Sequence, residues 1–463
     1  MIVDDFTRLT GDPFIDTGGI VIKVLSLKYP QKDILELIKF ATDIYVKNWG
    51  GKLHTFFLNS SITQSAFKSD RKVLETINYY NSLIQETNEI YKVGYCRILG
   101  VETKLYQAGR HNHMMSASGS FINFHSAYDD GLYLSKEALI RIFFVPLGVC
   151  FVGDKIALIQ SNNDEMNERL IQNTFEENER NLASKISEGV LKSDFGMVSN
   201  ALFNYADFCI SQSEVIIKNV YGLTKSDVQL NLYHFTNFGA SPTVDLHTFS
   251  DLLFKFYAIC KTRHAKQWNS FVNQHYKYSK FKGAQFDSEK QEWFNEKGRL
   301  KYDDYKAWYN PILNELLLGK PILSRFLKWG KKNRFEFNIV EIYCLNILKM
   351  EKYTIQKIKE LSSFIIDDKS DDEIKGAITR LNAAKNSGLL RAFLLKLIKE
   401  NYAKKHKEPL ITVEDYVLYL FPEGFSWKDT RDLLLIAIYQ KLHEMEKIIA
   451  DIQTEEQDEE ESN

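Results

Sequence analysis

Glycine and proline are scarce, 23 and 8 among 463 residues, well under their usual combined share of about 12%. Long flexible linkers and collagen-like repeats are excluded on that count. The five cysteines, Cys96, Cys150, Cys209, Cys260 and Cys344, include no C-x-x-C pair. Their odd, scattered arrangement argues against a disulfide framework and points to buried thiols in a reducing compartment. The opening MIVDDFTRLTGDPF lacks a basic segment followed by an apolar one, so no secretory leader is read there. The longest apolar run, 142–152, is too short to cross a bilayer. A soluble, cytoplasmic protein without a membrane partner is the expectation. The signatures of common enzymes are missing as well: no phosphate loop, no nucleophile elbow, no H-E-x-x-H and no dinucleotide fingerprint. His111, His113 and His125 lie within a short span, but no Cys or carboxylate stands at a ligand spacing beside them. Neither a catalytic centre, a metal nor a cofactor is expected.

What is present is the material of a large globular body. Apolar residues reach 44%, charged residues 26% and aromatics 13%, enough for two or three domains with a sizeable core. The formal net charge of −2 argues, as a total, against a nucleic-acid binder. Its distribution changes that. Residues 455–463 hold six acids and no base, so the remaining 59 basic and 55 acidic side chains leave the body near +4. Two stretches carry no acid at all. Residues 261–282 include Lys266 and Lys280, and residues 320–334 include Lys331 and Lys332, with Trp268, Tyr276, Tyr278, Phe281 and Trp329 interleaved. Lysines at such places can contact phosphates while aromatic faces stack on bases. Solvated helix faces over an apolar stripe produce the same pattern, and the sequence leaves both readings open.

The elements change character along the chain. Residues 138–152 form a β-rich apolar run, followed by a Gly153-Asp154 turn and 155–160, which reads as a hairpin. Val228, Leu230 and Leu232 alternate with polar residues as a half-buried strand does. Beyond residue 336 the pattern is helical throughout. Ser370 and Glu373 make a capping box, Thr412 and Ser426 are further caps, and apolar residues recur at helical spacing in 389–398 and 433–442. The expected architecture is α+β: a mixed N-terminal body over 1–335 with recognition loops, an all-helical C-terminal bundle over 336–452, and a disordered acidic tail over 453–463.

Three polar loops hold the candidate binding residues. The first, 59–67, follows Phe56-Phe57-Leu58 and offers Asn59, Ser60, Thr63 and Gln64. The second, 107–120, contains Arg110 and Asn112; only 14 of the 59 basic residues are arginine, which makes Arg110 notable. The third, 236–242, places Asn237 at a Gly-assisted turn. Amides can pair with base edges, and Ser, Thr and Arg can reach phosphates. Turn chemistry alone accounts for the same residues.

Four strings in these regions resemble a known family. They are Thr10-Gly-Asp-Pro-Phe-Ile-Asp-Thr-Gly18, Phe57-Leu-Asn-Ser-Ser-Ile-Thr-Gln64, Tyr233-His-Phe-Thr-Asn-Phe-Gly239, and Trp427-Lys-Asp-Thr-Arg-Asp-Leu-Leu-Leu435 followed by Tyr439. In this order they resemble the large subunit of type I-B CRISPR Cascade, in the branch named for a CXXC–CXXC zinc motif. The chain departs from that motif, with Cys96-Arg-Ile-Leu-Gly100 at the first pair and Gly131-Leu-Tyr-Leu-Ser135 near the second. A structural zinc needs four ligands, so Cys96 is expected as a buried thiol, with Tyr95, Leu99, Leu132 and Leu134 packing in place of the metal. The resemblance implies a non-catalytic subunit of a crRNA-guided surveillance complex. Such a subunit recognises the protospacer-adjacent motif of target double-stranded DNA and helps open the duplex, stabilises the R-loop and recruits a helicase-nuclease. Its partners would be the crRNA and the backbone, handle-binding and small subunits. Asn59, Ser60, Thr63 and Gln64 become the motif-reading or strand-wedging loop, Arg110, Asn112 and Asn237 a second tier, and Lys266, Lys280, Lys331 and Lys332 the phosphate contacts. The family's small subunit is often translated internally. Met350, the only Met between Met197 and Met445, could start such a product or be an ordinary helix residue. A protein-interaction scaffold and a metal-dependent nuclease are the alternatives.

Overall fold

A computed structural model describes residues 3–114, 131–212, 228–235, 243–277, 283–287, 289–404, 408–424 and 426–447. The fold is α+β, with strands and helices mixed in the N-terminal region and helices alone among the described residues beyond 336. Two compact units emerge, Met1–Asp251 with Tyr302–Tyr309, and Leu252–Lys301 with Asn310–Asn463. None of the described helices is long and apolar enough to cross a membrane.

The first unit is organised by helix α1 (Pro13–Lys28). Its start is written in the opening string. The Asp12 carboxylate accepts from the amides of Phe14 at 3.0 Å and Ile15 at 2.9 Å, satisfying donors a helix N-terminus leaves open. Asp16 turns back and accepts from the Thr10 amide at 2.7 Å and the Gly11 amide at 2.8 Å. Gly18 lies against the backbone of Arg141, so close that a Cβ would come within 1.8 Å of the Arg141 carbonyl oxygen. The buried Arg141 guanidinium donates to the carbonyls of Arg8 at 2.6 Å and Asp5 at 2.9 Å. The string that carries the resemblance is thus largely a folding device.

Helices α2 (Ile34–Asp43), α3 (Ser69–Ile84), α4 (Lys136–Phe144), α5 (Asp164–Ala183) and α6 (Val198–Gln212) are the further long helices of this unit. Strands β1 (Lys92–Tyr95), β2 (Glu102–Ala108) and β3 (Leu132–Ser135) form one antiparallel sheet. Strands β4 (Cys150–Val152), β5 (Lys155–Ser161), β6 (Leu191–Lys192), β7 (Leu230–Phe235) and β8 (Val244–Phe249) form a second, ordered β6-β4-β5-β7-β8. The β4–β5 hairpin and the alternating strand β7 match the sequence expectation. The first half of the 138–152 run does not: it is α4, capped by Ser135, whose hydroxyl accepts from the Ala138 amide at 3.3 Å. Residues 138–144 are buried on every side, so no helical period survives to distinguish them from a strand. Phe14 of the first string packs on Tyr233 and Phe235 of β7, with ring centroids 6.0 and 5.6 Å apart. Two of the resemblance strings therefore meet in one core.

In the second unit, α7 (Asp251–Arg263), α8 (Ala265–Asn273) and a small antiparallel sheet, β9 (Gln285–Asp287), β10 (Glu292–Asn295) and β11 (Gly298–Arg299), precede the helices α9 (Pro311–Leu317), α10 (Leu323–Lys332), α11 (Phe337–Asn346), α12 (Lys352–Ile366), α13 (Asp371–Asn382), α14 (Ser387–Ala403) and α15 (Trp427–Glu444). The reciprocal Ser370–Glu373 capping box is present, and Thr412 and Asp415 cap each other's amides at 2.9 and 3.0 Å. Residues 433–439 of α15 are all buried; a helix apolar on every face belongs at the centre of a bundle. The last described strand ends at Arg299, ahead of the sequence boundary at 335, and the compact units divide at 251. Aromatic packing reaches across 335: Phe256 and Phe326 each meet Tyr343 with centroids 5.7 Å apart. The proposed tail, 453–463, lies outside the described residues.

Candidate nucleic-acid interface

The first candidate loop leaves the core at Phe56 and Phe57, both buried. Thr63 donates its hydroxyl to the Phe57 carbonyl at 2.8 Å, and the Ser60 hydroxyl reaches the same carbonyl at 3.1 Å. Ser60 and Thr63 are buried and shape the turn. Asn59 and Gln64 are exposed and are the members of this loop that can meet a ligand.

The second loop is pinned by Asn112, only 1% exposed. Its side chain accepts from the Gly109 amide at 2.8 Å and donates to the Tyr79 hydroxyl at 2.6 Å and the Gln107 carbonyl at 3.0 Å. That amide's hydrogen-bonding capacity is largely consumed within the fold, so Asn112 holds the loop rather than facing a base. Arg110 next to it is exposed. Burial raises the Tyr79 hydroxyl to about 12, keeping it neutral. Burial also lowers His113 to about 4, so its ring is neutral near pH 7, and shifts His111 below its ordinary value.

These two loops meet. The Asn59 amide donates to the Arg110 carbonyl at 3.1 Å, and His111 stands edge-on to Tyr79 with centroids 5.9 Å apart. Between them lies a cleft of about 560 Å³. Phe57, Ile62, Tyr80 and Phe143 supply its apolar surface; Asn59, Ser61, Asn78, Ser82, Glu75 and His111 supply polar groups. Glu75, Asn78, Tyr79 and Ser82 follow i, i+3, i+4, i+7 spacing, one face of α3. The sequence reading passed over this face. Its signal, a polar-aromatic stripe along an amphipathic helix, is legible only when paired with a loop to face.

The remaining candidates divide. Asn237 and Lys280, with Tyr278, Phe281 and His125, lie outside the described residues. Lys266 on α8 and Lys332 on α10 are exposed and Lys331 is half-buried, all three in the second unit. The aromatics beside them are not stacking surfaces. Trp268, Tyr276 and Trp329 are buried, and Phe271 packs between Phe326 and Trp329. In their described parts these basic stretches are solvated faces over an aromatic core.

Cys96 is buried, and its sulfur receives the Ser135 amide at 3.5 Å. The segments around Cys96 and Ser135 are therefore adjacent. They do not fit zinc: they offer one thiol, Cys96, the positions 99, 132 and 134 carry leucine, and Ser135 is engaged in capping α4. Leu134 packs as expected, whereas Tyr95 is 67% exposed, on a strand whose pleat turns it outward. Among the described residues no group of three or more His, Cys, Asp or Glu is placed to hold a metal.

A family model described as the DevT C-terminal domain matches residues 328–463. That stretch begins within α10 and leaves the cleft of the first unit outside it. No curated protein matches the chain.

Proposed function

We propose that this chain is the non-catalytic large subunit of a crRNA-guided surveillance complex of type I-B Cascade character, acting in the cytoplasm. In this reading it recognises the protospacer-adjacent motif and helps open the duplex. The observation that carries it is the hydrogen bond joining the 59–64 and 107–114 loops beside one cleft, because the first loop is part of the resemblance and both are rich in base- and phosphate-binding groups. Guide pairing reads sequence in such systems while protein reads a short motif, so a few exposed groups, Asn59, Gln64 and Arg110, suffice. Lys266, Lys331 and Lys332 would add salt-dependent backbone contacts. The modest body charge near +4 fits a subunit that contributes one face to an assembly with crRNA, other subunits and a helicase-nuclease.

Co-purification tests the assignment directly. Tagged full-length chain is expected to bring down a crRNA-bearing complex, and recovery of the chain without RNA would overturn it. Within that complex, Gln64→Ala is expected to abolish binding to a paired target and spare a pre-opened bubble. Equal loss on both substrates would remove the duplex-opening role.

A further inference from the structure

We infer that the cleft between the 57–62 loop, α3 and His111 is a receptor for a single unpaired nucleobase whose sugar-phosphate stays outside. The inference rests on the nucleic-acid reading above and deepens it. The volume of about 560 Å³ lies in the range of sites that hold small organic ligands. Buried Phe57, Tyr80 and Phe143 close its floor; the rings with accessible surface are the half-buried Tyr79 and the exposed His111, and its polar groups are mostly neutral amides and hydroxyls, Asn59, Ser61 and Asn78. An apolar slot rimmed by amides is the chemistry that accepts a flat heterocycle with a donor–acceptor edge.

Charge decides which part of a nucleotide enters. Glu75 lines the cleft, and a carboxylate there opposes a phosphate. Arg71, which pairs with Glu75 at 3.5 Å, is not a lining residue, and no Lys or Arg stands among the described residues that line the cleft. Cationic groups stand on the exposed surface of the same elements: Arg110 beside Asn59, and Arg71, whose guanidinium lies 3.9 Å over the Phe67 ring and 3.5 Å from Glu75. A backbone running past these groups would direct one base inward. Asn59 and Asn78 are exposed, from opposite walls, and both amides can meet a base edge.

The test uses the full-length chain and three DNA duplexes: one with a single extrahelical 2-aminopurine, one with an abasic site in the same bulge, and one fully paired. The aminopurine duplex is expected to bind about tenfold more tightly than the abasic one, the order of one base–aromatic stack, with quenched emission. Asn78→Trp and, one turn farther along α3, Ser82→Trp fill the cleft. Each is expected to erase that preference while leaving affinity for the paired duplex unchanged, with unaltered melting confirming the fold. Equal binding of the two bulged duplexes, or a preference surviving both tryptophans, overturns the receptor while duplex binding preserves the broader reading. Absence of salt-dependent binding to all three overturns both.

Discussion

At the scale of single residues, the polar loops separate into groups that build and groups that face outward. Asn112 makes three side-chain hydrogen bonds from a buried position. Asn112→Ala is expected to cost about 2–3 kcal/mol and lower the melting temperature. Asn59→Ala, at an exposed site, should change stability by no more than about 0.5 kcal/mol and weaken DNA binding instead. Denaturant titration and a binding isotherm on each variant separate the two roles. His113 gives a pH dependence of definite sign. Its folded pKa of about 4 lies below the ordinary 6.5, so the unfolded chain takes up the proton first as pH falls. The contribution is complete above about pH 6.5 and is lost progressively toward pH 4. Melting temperature should therefore fall on acidification through this window, and His113→Gln should flatten that slope. Asn, Ser and Thr in a loop were legible as candidates. Which of them point inward was not, because a capping or loop-pinning amide and a base-reading amide are the same residue type.

At the scale of elements, local rules carried far. Caps at Ser370, Thr412 and Ser426 and the alternation of β7 are short-range patterns, and the structure contains each of them. The rules failed where burial removed periodicity, as in α4, whose residues 138–144 are all buried. The α1–α4 contact depends on Gly18. Gly18→Ala places a methyl 1.8 Å from the Arg141 carbonyl oxygen, a clash with backbone that no rotamer relieves. It is expected to destabilise the first unit by several kcal/mol, of order 3 or more, and to move the protein into the insoluble fraction. Soluble expression with unchanged melting would contradict that packing.

At the scale of the whole molecule, the unit boundary bears on the internal start considered at Met350. Met350 is buried, and its amide donates to the Cys344 carbonyl at 2.9 Å. A chain of residues 350–463 would lack α10 and α11, which belong to the same compact unit. The central helix α15 would lose the neighbour that holds His443 through the Gly330 carbonyl at 2.9 Å. Such a fragment is expected to melt without cooperativity and bind hydrophobic dye, and expression of this gene alone should yield the full-length mass only. A well-folded fragment, or a second mass at that size, would reverse the expectation.

By itself, the sequence determined what depends on near neighbours: α+β character, helices beyond 336, most caps, and two loops crowded with polar side chains. Only the tertiary structure decided that residues 59 and 110 share a hydrogen bond, that a face of α3 closes a cleft between their loops, and that Trp268, Tyr276 and Trp329 in the basic stretches are core. The reason is physical. Caps and periodicity are set by interactions within one turn or one strand. A cleft is set by contacts between segments tens of residues apart, where burial, not residue type, decides whether an amide serves the fold or a ligand.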